Sequence, residues 1–325
     1  MRLIAPMLAT PGAPPETMDG WAAEMKYDGC RVLAAVGGGE QPVLWTRNLN
    51  VVTSSYPEVT DALTEVFGGR GRIVFDGEVV ALTQGRPSFS RLQKRMNSLR
   101  PSAALRQQVP VTYLPFDVLS AGGDDLKVAP YLDRRAALAD LGAELRGAGL
   151  PLQFLPHWEG IDGAVILDAA RNSMMEGALF KRVSSIYTPG QRSRSWRKVL
   201  LRNRSSAVVI GWVPGAGVER NMVGALVLGA YDETGALRYI GHVGTGFSMA
   251  VRRQLREKLA TLERRTSPLG FDSAAAEKDG PVRWVDPAVV VDVEYREYLP
   301  GGLRHPSFKG QRGDLDPGSI TRDSL

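Results

Sequence analysis

The chain has 325 residues, 43% hydrophobic and 23% charged, with a formal net charge of +5 and an isoelectric point near 9.4. That length supports about two globular domains with real cores, and the mild positive balance favours a polyanionic partner without naming one. A single cysteine, Cys30, excludes an intramolecular disulfide; with only three scattered histidines (His157, His242 and His305) beside it, nothing supports a structural zinc site.

The N-terminal run Met1-Arg2-Leu3-Ile4-Ala5-Pro6 lacks the apolar stretch of a signal peptide. No segment approaches the roughly 18 apolar residues of a membrane span, so a cytoplasmic location away from membranes is expected. Only eight of the 40 basic residues are lysine, which makes each lysine at a motif position more telling.

The first motif is Glu24-Met25-Lys26-Tyr27-Asp28-Gly29-Cys30-Arg31, of the form K-x-D-G-x-R. A lysine amine is nucleophilic only in a site that lowers its pKa, which flanking cations and a bound metal can do. The acid two residues on and a glycine turn would hold nucleotide and amine together, and Arg31 could grip a ribose or a phosphate with its planar donors. The same residues also read as a polar hairpin with a two-residue Asp28-Gly29 turn, and the motif alone does not choose. Cys30 reads as a small strand residue rather than a reactive thiol.

Apolar runs predict strands at Arg31–Val36, Pro42–Thr46 and Arg72–Leu82. Thr46-Arg47-Asn48 follows the second. The third contains Phe75-Asp76-Gly77-Glu78, and acids inside an apolar strand need partners, either a salt bridge or a nucleotide. Phe89, Leu92, Met96 and Leu99 recur at helical spacing behind a capping Ser88. In Tyr113-Leu114-Pro115-Phe116-Asp117 an aromatic belongs either to the core or to a base platform. Asp133 is a candidate cap for a helix with Leu138, Leu141 and Leu145 on one face.

Next come Met175-Glu176-Gly177-Ala178-Leu179-Phe180-Lys181-Arg182, then Tyr187-Thr188-Pro189-Gly190-Gln191-Arg192-Ser193 and Trp196-Arg197-Lys198. The chain divides near residue 200, after which a strand-rich part follows the basic stretch Arg192–Arg204. Strands are predicted at Ala207–Val213, Val223–Tyr231, Arg238–Val243 and Val289–Tyr295, with one helix carrying Val251, Leu255, Leu259 and Leu262. Such a part is compatible with an OB-fold barrel, though periodicity does not separate it from other small barrels. Ser267–Pro281 reads as a mobile polar loop. The last motif is Arg304-His305-Pro306-Ser307-Phe308-Lys309-Gly310-Gln311-Arg312-Gly313-Asp314. Singly, each piece also reads as an exposed turn or a solvated ion pair. Together they are the parts needed to transfer a nucleotidyl group.

In this order the motifs resemble those of the bacterial ATP-dependent DNA ligases of the covalent nucleotidyltransferase superfamily, both stand-alone C-type enzymes and the ligase domain of end-joining ligases. The resemblance runs from Pro6-Met7-Leu8-Ala9 to Asp314 and is close at Phe180–Ser193 and Tyr239–Phe247. It implies an α+β chain, with a nucleotidyltransferase (adenylation) domain over 1–202 and a C-terminal OB-fold β-barrel over 203–325. It implies ATP and Mg²⁺ (or Mn²⁺) as cofactors, nicked double-stranded DNA as substrate, repair or end-joining proteins as partners, and a monomer. Lys26 would form a phosphoramidate with AMP, which passes to the nick 5′-phosphate before the 3′-hydroxyl displaces it. Glu24 would lie by the adenine amine and Phe116 would stack on the base. Arg31 and Glu78 would hold the ribose, and Arg47 the nick 5′-phosphate. Glu176 would bind metal, and Lys181 and Lys198 would face the phosphates. Arg312 and Asp314 form the OB-domain motif, which would orient the pyrophosphate leaving group.

Three positions depart from the family pattern: Leu49 where Gly is usual, Leu200 where a second cation is usual and Leu315 where Lys is usual. Arg197, Arg202 or Lys309 would have to compensate for the lost charge. The alternative is a nick-binding protein with weak or lost self-adenylylation. A capping-type guanylyltransferase shares K-x-D-G and an OB-fold, but the stretch from Phe180 and the C-terminal motif favour a DNA ligase. An NAD-dependent ligase is expected to carry an extra N-terminal module and zinc-binding cysteines.

Overall fold

The computed structural model describes residues 3–83, 85–96, 98–143, 145, 149–216, 221–269, 274–277 and 280–325. The chain folds as two units, Met1–Leu201 and Arg202–Leu325.

The first unit contains two sheets. One has the order β4 (Glu40–Thr46), β3 (Cys30–Gly37), β5 (Ile73–Thr83), β7 (Val111–Ala121) and β8 (Asp124–Asp125), with β6 (Arg86–Pro87) on the end of β5. All its pairs are antiparallel. The other has the order β1 (Leu8–Pro11), β11 (Arg192–Leu200), β10 (Gly177–Arg182), β2 (Trp21–Lys26) and β9 (Trp158–Glu159), with only β1 and β11 parallel.

Side chains alternate across each strand, so each sheet has two different faces. Val32, Ala34 and Val36 pack with residues of α1 (Pro57–Phe67), α2 (Phe89–Met96) and α4 (Tyr131–Ala143). Leu33 and Ala35, on the other face, join Trp45, Leu119, Tyr187 and Trp196 in a second cluster. Because both faces are covered, β3 reads as an unbroken apolar run. Leu105 of the short α3 (Ala103–Gln108) packs at the edge of the helix-side core. The second sheet buries Trp21, Ala23, Ala178 and Phe180 against α5 (Gly163–Asn172).

The second unit is a five-stranded antiparallel sheet of β12 (Asn203–Pro214), β13 (Val223–Tyr231), β14 (Leu237–Val243), β15 (Arg283–Tyr295) and β18 (Ser307–Arg312). Its order is β14-β13-β12-β15-β18. Helix α6 (Met249–Ala260) sits between the third and fourth strands, capped by Ser248, whose hydroxyl accepts from the Val251 amide at 3.2 Å. A small hairpin of β16 (Glu297–Leu299) and β17 (Gly302–Arg304) precedes the last strand. This is the OB-fold arrangement. Among the described residues no helix is long and apolar enough to cross a membrane.

The predicted strands and helices are present with ends shifted by a few residues, the largest shifts being at the starts of β12 and β15. Asp133 is a correction: α4 begins at Tyr131, so Asp133 lies in the first turn rather than capping it. Most of the basic stretch Arg192–Arg204 is strand: Arg192–Leu200 forms an interior strand of its sheet, with Trp196 buried. Within the loop Ser267–Pro281, Leu269 and Ala276 are core residues, while 270–273 and 278–279 lie outside the described residues.

Candidate active site

The K-x-D-G-x-R run is not a hairpin. Lys26 ends β2 in one sheet and Cys30 begins β3 in the other, so Tyr27-Asp28-Gly29 carries the chain between sheets. Only glycine fits at 29, since a Cβ there would lie 2.4 Å from the Val79 carbonyl oxygen. The crossover sets Lys26 and Arg31 on two walls of a cleft of about 780 Å³, which Glu24, Arg47, Glu78, Phe116 and Lys198 also line.

The Lys26 wall is built in rows. Lys26 lies opposite Gly177, and Gly177 opposite Leu200; Glu24 lies opposite Leu179, and Leu179 opposite Lys198. These residues therefore share a face, with Lys26 and Leu200 in one row and Glu24 and Lys198 in the next. Gly177, at φ +149°, leaves the middle of the Lys26 row without a side chain; a Cβ there would lie 2.0 Å from the Val199 carbonyl oxygen. The Glu176 amide donates to the Lys26 carbonyl at 3.0 Å, and the Glu176 carboxylate forms an ion pair with Lys26 Nζ. The side chains are 23% and 6% exposed, so the amine is the more open partner.

On the other wall Arg31 donates to Asp76 from Nε at 2.9 Å and from a terminal nitrogen at 2.5 Å, and its guanidinium lies 5.2 Å from the Phe116 ring. The Tyr187 hydroxyl donates to the same Asp76 carboxylate at 2.6 Å. The two acids of β5 thus divide the roles anticipated for them: Asp76 is the buried partner of Arg31, and Glu78 lines the cleft. Burial pushes the Glu78 carboxyl up to about 7; Lys26 and Arg31 counter this, while Glu176 and Asp76 add to it. Cys30, also in the wall, has its thiol pushed up to about 11, chiefly by burial and then by Glu78, so it stays protonated and unreactive at neutral pH.

Arg47 is exposed at the cleft on the turn after β4. Leu49 closes that turn at φ +64°, donating its amide to the Thr46 carbonyl at 2.9 Å. Leucine therefore occupies the left-handed conformation that glycine adopts without penalty.

Lys181 is placed differently from the expectation. It is fully buried and does not line the cleft; its Nζ pairs with Glu24 at 2.7 Å and lies 4.3 Å from the Trp196 ring. Arg197 does not substitute for a cation at 200, because it lies on the outer face of its strand with its guanidinium 4.7 Å from the Trp21 ring. In the second unit Lys309 is paired with Glu294 at 2.8 Å. Arg312 donates to Asp314 at 2.8 and 2.7 Å and to the buried Asp292 at 3.3 Å. Leu315 packs on that unit's core, which gives its apolar character a structural use.

Sequence reasoning missed Tyr131 and Arg135. Both lie on α4 at i, i+4 spacing; Tyr131 bonds Glu24, and Arg135 lines the cleft. The leucine face of the helix drew the reading toward the core, although the i, i+4 aromatic–arginine pair was present in the sequence.

Residues 6–199 match the family described as "ATP dependent DNA ligase domain", and residues 219–315 the "ATP dependent DNA ligase C terminal region". The chain is 36% identical over 327 residues to the multifunctional non-homologous end joining DNA repair protein LigD of Mycobacterium tuberculosis, covering 98% of this chain and 40% of that protein. It is 31% identical over 342 residues to a DNA ligase of Halobacterium salinarum, covering 100% of this chain and 57% of that one. Among solved structures it is similar to a mycobacterial DNA ligase D complexed with ATP and MES, at 34% identity, 98% coverage of both chains and a TM-score of 0.55. The chain thus spans about two fifths of the length of the end-joining relatives it matches.

Proposed function

The chain belongs to the ATP-dependent DNA ligases, and from that premise we propose that it seals nicks in duplex DNA through a Lys26–AMP intermediate. Residues 1–202 would act as the adenylation domain and residues 203–325 as the OB-fold domain. The observation that carries the reading is the crossover at Asp28-Gly29, which sets a cleft lysine paired to Glu176 against a wall holding Arg31, Glu78 and Phe116.

Membership of the family implies three steps, and the cleft supplies residues for them. Lys26 Nζ attacks the α-phosphorus of ATP; the P–N bond forms as the bond to the β-phosphate oxygen breaks, and the amine loses a proton. An oxygen of the nick 5′-phosphate then attacks the adenylate phosphorus and breaks the P–N bond. The nick 3′-hydroxyl finally attacks the 5′-phosphorus and AMP departs. In-line transfer at phosphorus is mainly a matter of positioning and charge neutralisation, which cations and oriented donors supply. Phe116 offers a face to the base, Glu24 an acceptor to the adenine amine, and Glu78 with Arg31 a grip on the ribose. Lys198 faces the phosphates and Arg47 meets the nick 5′-phosphate. Arg312 and Asp314 serve as the OB-domain motif.

The residues present suit a divalent cation delivered with the nucleotide. Among the described residues no three His, Cys, Asp or Glu side chains cluster as a metal cage. Glu78 in the cleft wall and Glu176, paired with Lys26 beside it, nevertheless offer two hard oxygen donors, which suits Mg²⁺ or Mn²⁺ held by one or two carboxylates plus phosphate oxygens. Glu176, with Glu78, would hold such a cation, and the chemistry it would supply is neutralisation of charge on the triphosphate.

A second reading, a nick-binding protein slow to adenylylate itself, is favoured by Leu200, which puts a leucine in the Lys26 row. Incubation with ATP, Mg²⁺ and a nicked duplex separates the two. The ligase reading expects sealed strands, lost in Lys26→Ala, whereas binding without sealing or adduct supports the second.

A further inference from the structure

The second unit holds a groove of its own, of about 620 Å³, which none of the three transfer steps uses. Arg202, His242, Thr245, Glu294, His305 and Lys309 line it. The chain has only three histidines, and two of them meet here, one from β14 and one from the loop between β17 and β18. The walls are tied together. The Thr245 hydroxyl donates to the Pro306 carbonyl at 2.9 Å, and the Phe308 amide donates to the Thr245 carbonyl at 2.9 Å. Exposed His305 is held at φ +50°. Residues with a side chain rarely adopt that conformation, and such strain collects where a side chain has to be aimed. His242 is half-buried, with Nδ1 2.7 Å from the Tyr239 hydroxyl. A phenol donates to a neutral imidazole and accepts from a charged one, so this contact survives protonation.

Lys309 is set against Glu294 at 2.8 Å, so with both imidazoles neutral the lining has one more cation than acid. The charged groups on the neighbouring strands oppose one another: Arg304 faces Glu297 at 3.9 Å, and Asp292 meets Arg204 at 2.9 Å and Arg312 at 3.3 Å. A metal ion does not suit the groove. Among the described residues no three His, Cys, Asp or Glu side chains cluster as metal ligands, and two cations border the imidazoles. An oxyanion suits it.

We propose that His242 and His305, with Arg202 and Lys309, form a proton-linked site for a phosphate group of the DNA backbone, so that the OB-fold unit grips a duplex more tightly as pH falls. The proposal rests on the reading of the chain as a protein that binds nicked DNA. Imidazoles change charge between about pH 5 and 8, whereas a phosphodiester keeps its single negative charge throughout, so only the protein side of the pair titrates. Each added proton makes both ring nitrogens donors and turns a neutral contact into a charge-assisted one. Arg202 and Lys309 favour the phosphate and disfavour the second and third positive charges; Glu294 does the reverse. A bound phosphate offsets the crowding of cations, so binding and protonation reinforce each other.

The test measures binding of the full chain to a nicked duplex by fluorescence anisotropy, without ATP or Mg²⁺ and at one ionic strength, at about pH 6 and about pH 8. Wild type should bind about tenfold more tightly at the lower pH, the usual worth of one hydrogen bond to a charged group. His242→Gln and His305→Asn, the latter keeping a residue suited to the left-handed region, should each remove part of that gain. The double variant should bring the ratio within about twofold, with affinity at the higher pH little changed. His305→Asn, at an exposed position, carries the test if His242→Gln does not fold. No pH response in wild type, or one that the double variant keeps in full, overturns the proposal and leaves the ligase reading intact. The KM for ATP in adduct formation reads the other source of phosphate: a rise in the double variant with DNA affinity unchanged assigns the site to the nucleotide and overturns the backbone assignment. A wild type that binds the nicked duplex at neither pH overturns the ligase reading and this proposal with it.

Discussion

Leu200→Lys is expected to speed formation of the Lys26–AMP adduct by about one to two powers of ten. Leu200 shares a sheet row with Lys26, and Gly177 between them carries no side chain. Two strand spacings of about 4.8 Å put the two Cα atoms roughly 9–10 Å apart. A four-carbon lysine stem extending over Gly177 covers much of that gap and brings an ammonium to the phosphorus that Lys26 attacks. At about 5 Å and an effective dielectric near 20, one such charge is worth roughly 3 kcal/mol. A charge-assisted hydrogen bond to phosphate gives a similar figure, about 1.5–3 kcal/mol. Felt only in the transition state, that range is about one to two powers of ten in rate. Leu200 is only partly buried and belongs to no core cluster, so the substitution should leave the fold intact. The assay is single-turnover adduct formation with labelled ATP, run beside sealing of a pre-adenylylated nick. Sealing expels AMP rather than pyrophosphate and should change little. If adduct formation is no faster, the triphosphate already has its cation and the argument from Leu200 is wrong.

Three further outcomes are expected. The Glu78 carboxyl, raised to about 7, carries a proton below that pH and ionises above it; kcat/KM for ATP should therefore rise through about pH 7 as Glu78 becomes a full acceptor, and an inflection that persists in Glu78→Gln would refute this. Leu49→Gly should stabilise the first unit by about 0.5–1 kcal/mol, since a left-handed leucine costs about 1–2 kcal/mol and glycine gives part of that back in chain entropy; thermal unfolding should shift upward by about 1–4 °C, and a downward shift would count against strain at φ +64°. Binding to nicked duplex should weaken steeply with added salt, given the +5 net charge and the counterions released by phosphate contacts; affinity that stays flat between low and physiological salt would contradict a backbone-reading mode.

The apolar strands were legible because burial on both faces leaves an unbroken run, as in Arg31–Val36 and Arg72–Leu82. Strands β2, β10 and β11 were not, because one face of each lines the cleft or its buried ion pair. Glu24 and Lys26, Lys181, and Lys198 interrupt the apolar pattern that marks a strand. The same charges made the motifs conspicuous, so the site was easier to read than its scaffold. The hairpin reading of Asp28-Gly29 failed for a reason no local pattern carries: the flanking strands belong to different sheets. Lys181 was assigned to the phosphates from its motif position, yet its strand register turns it into the aromatic box beneath Glu24. Tyr131 and Arg135 matter only because α4 packs beside that box, a tertiary fact that helical spacing does not state.

The central claim is that the Lys26 amine carries the nucleotide. Its most direct test is peptide mapping by mass spectrometry after incubation with ATP and Mg²⁺. AMP on the peptide containing Lys26, and its loss in Lys26→Ala, is the result the account predicts. AMP on Lys181 or Lys198, or an adduct that survives Lys26→Ala, would contradict it.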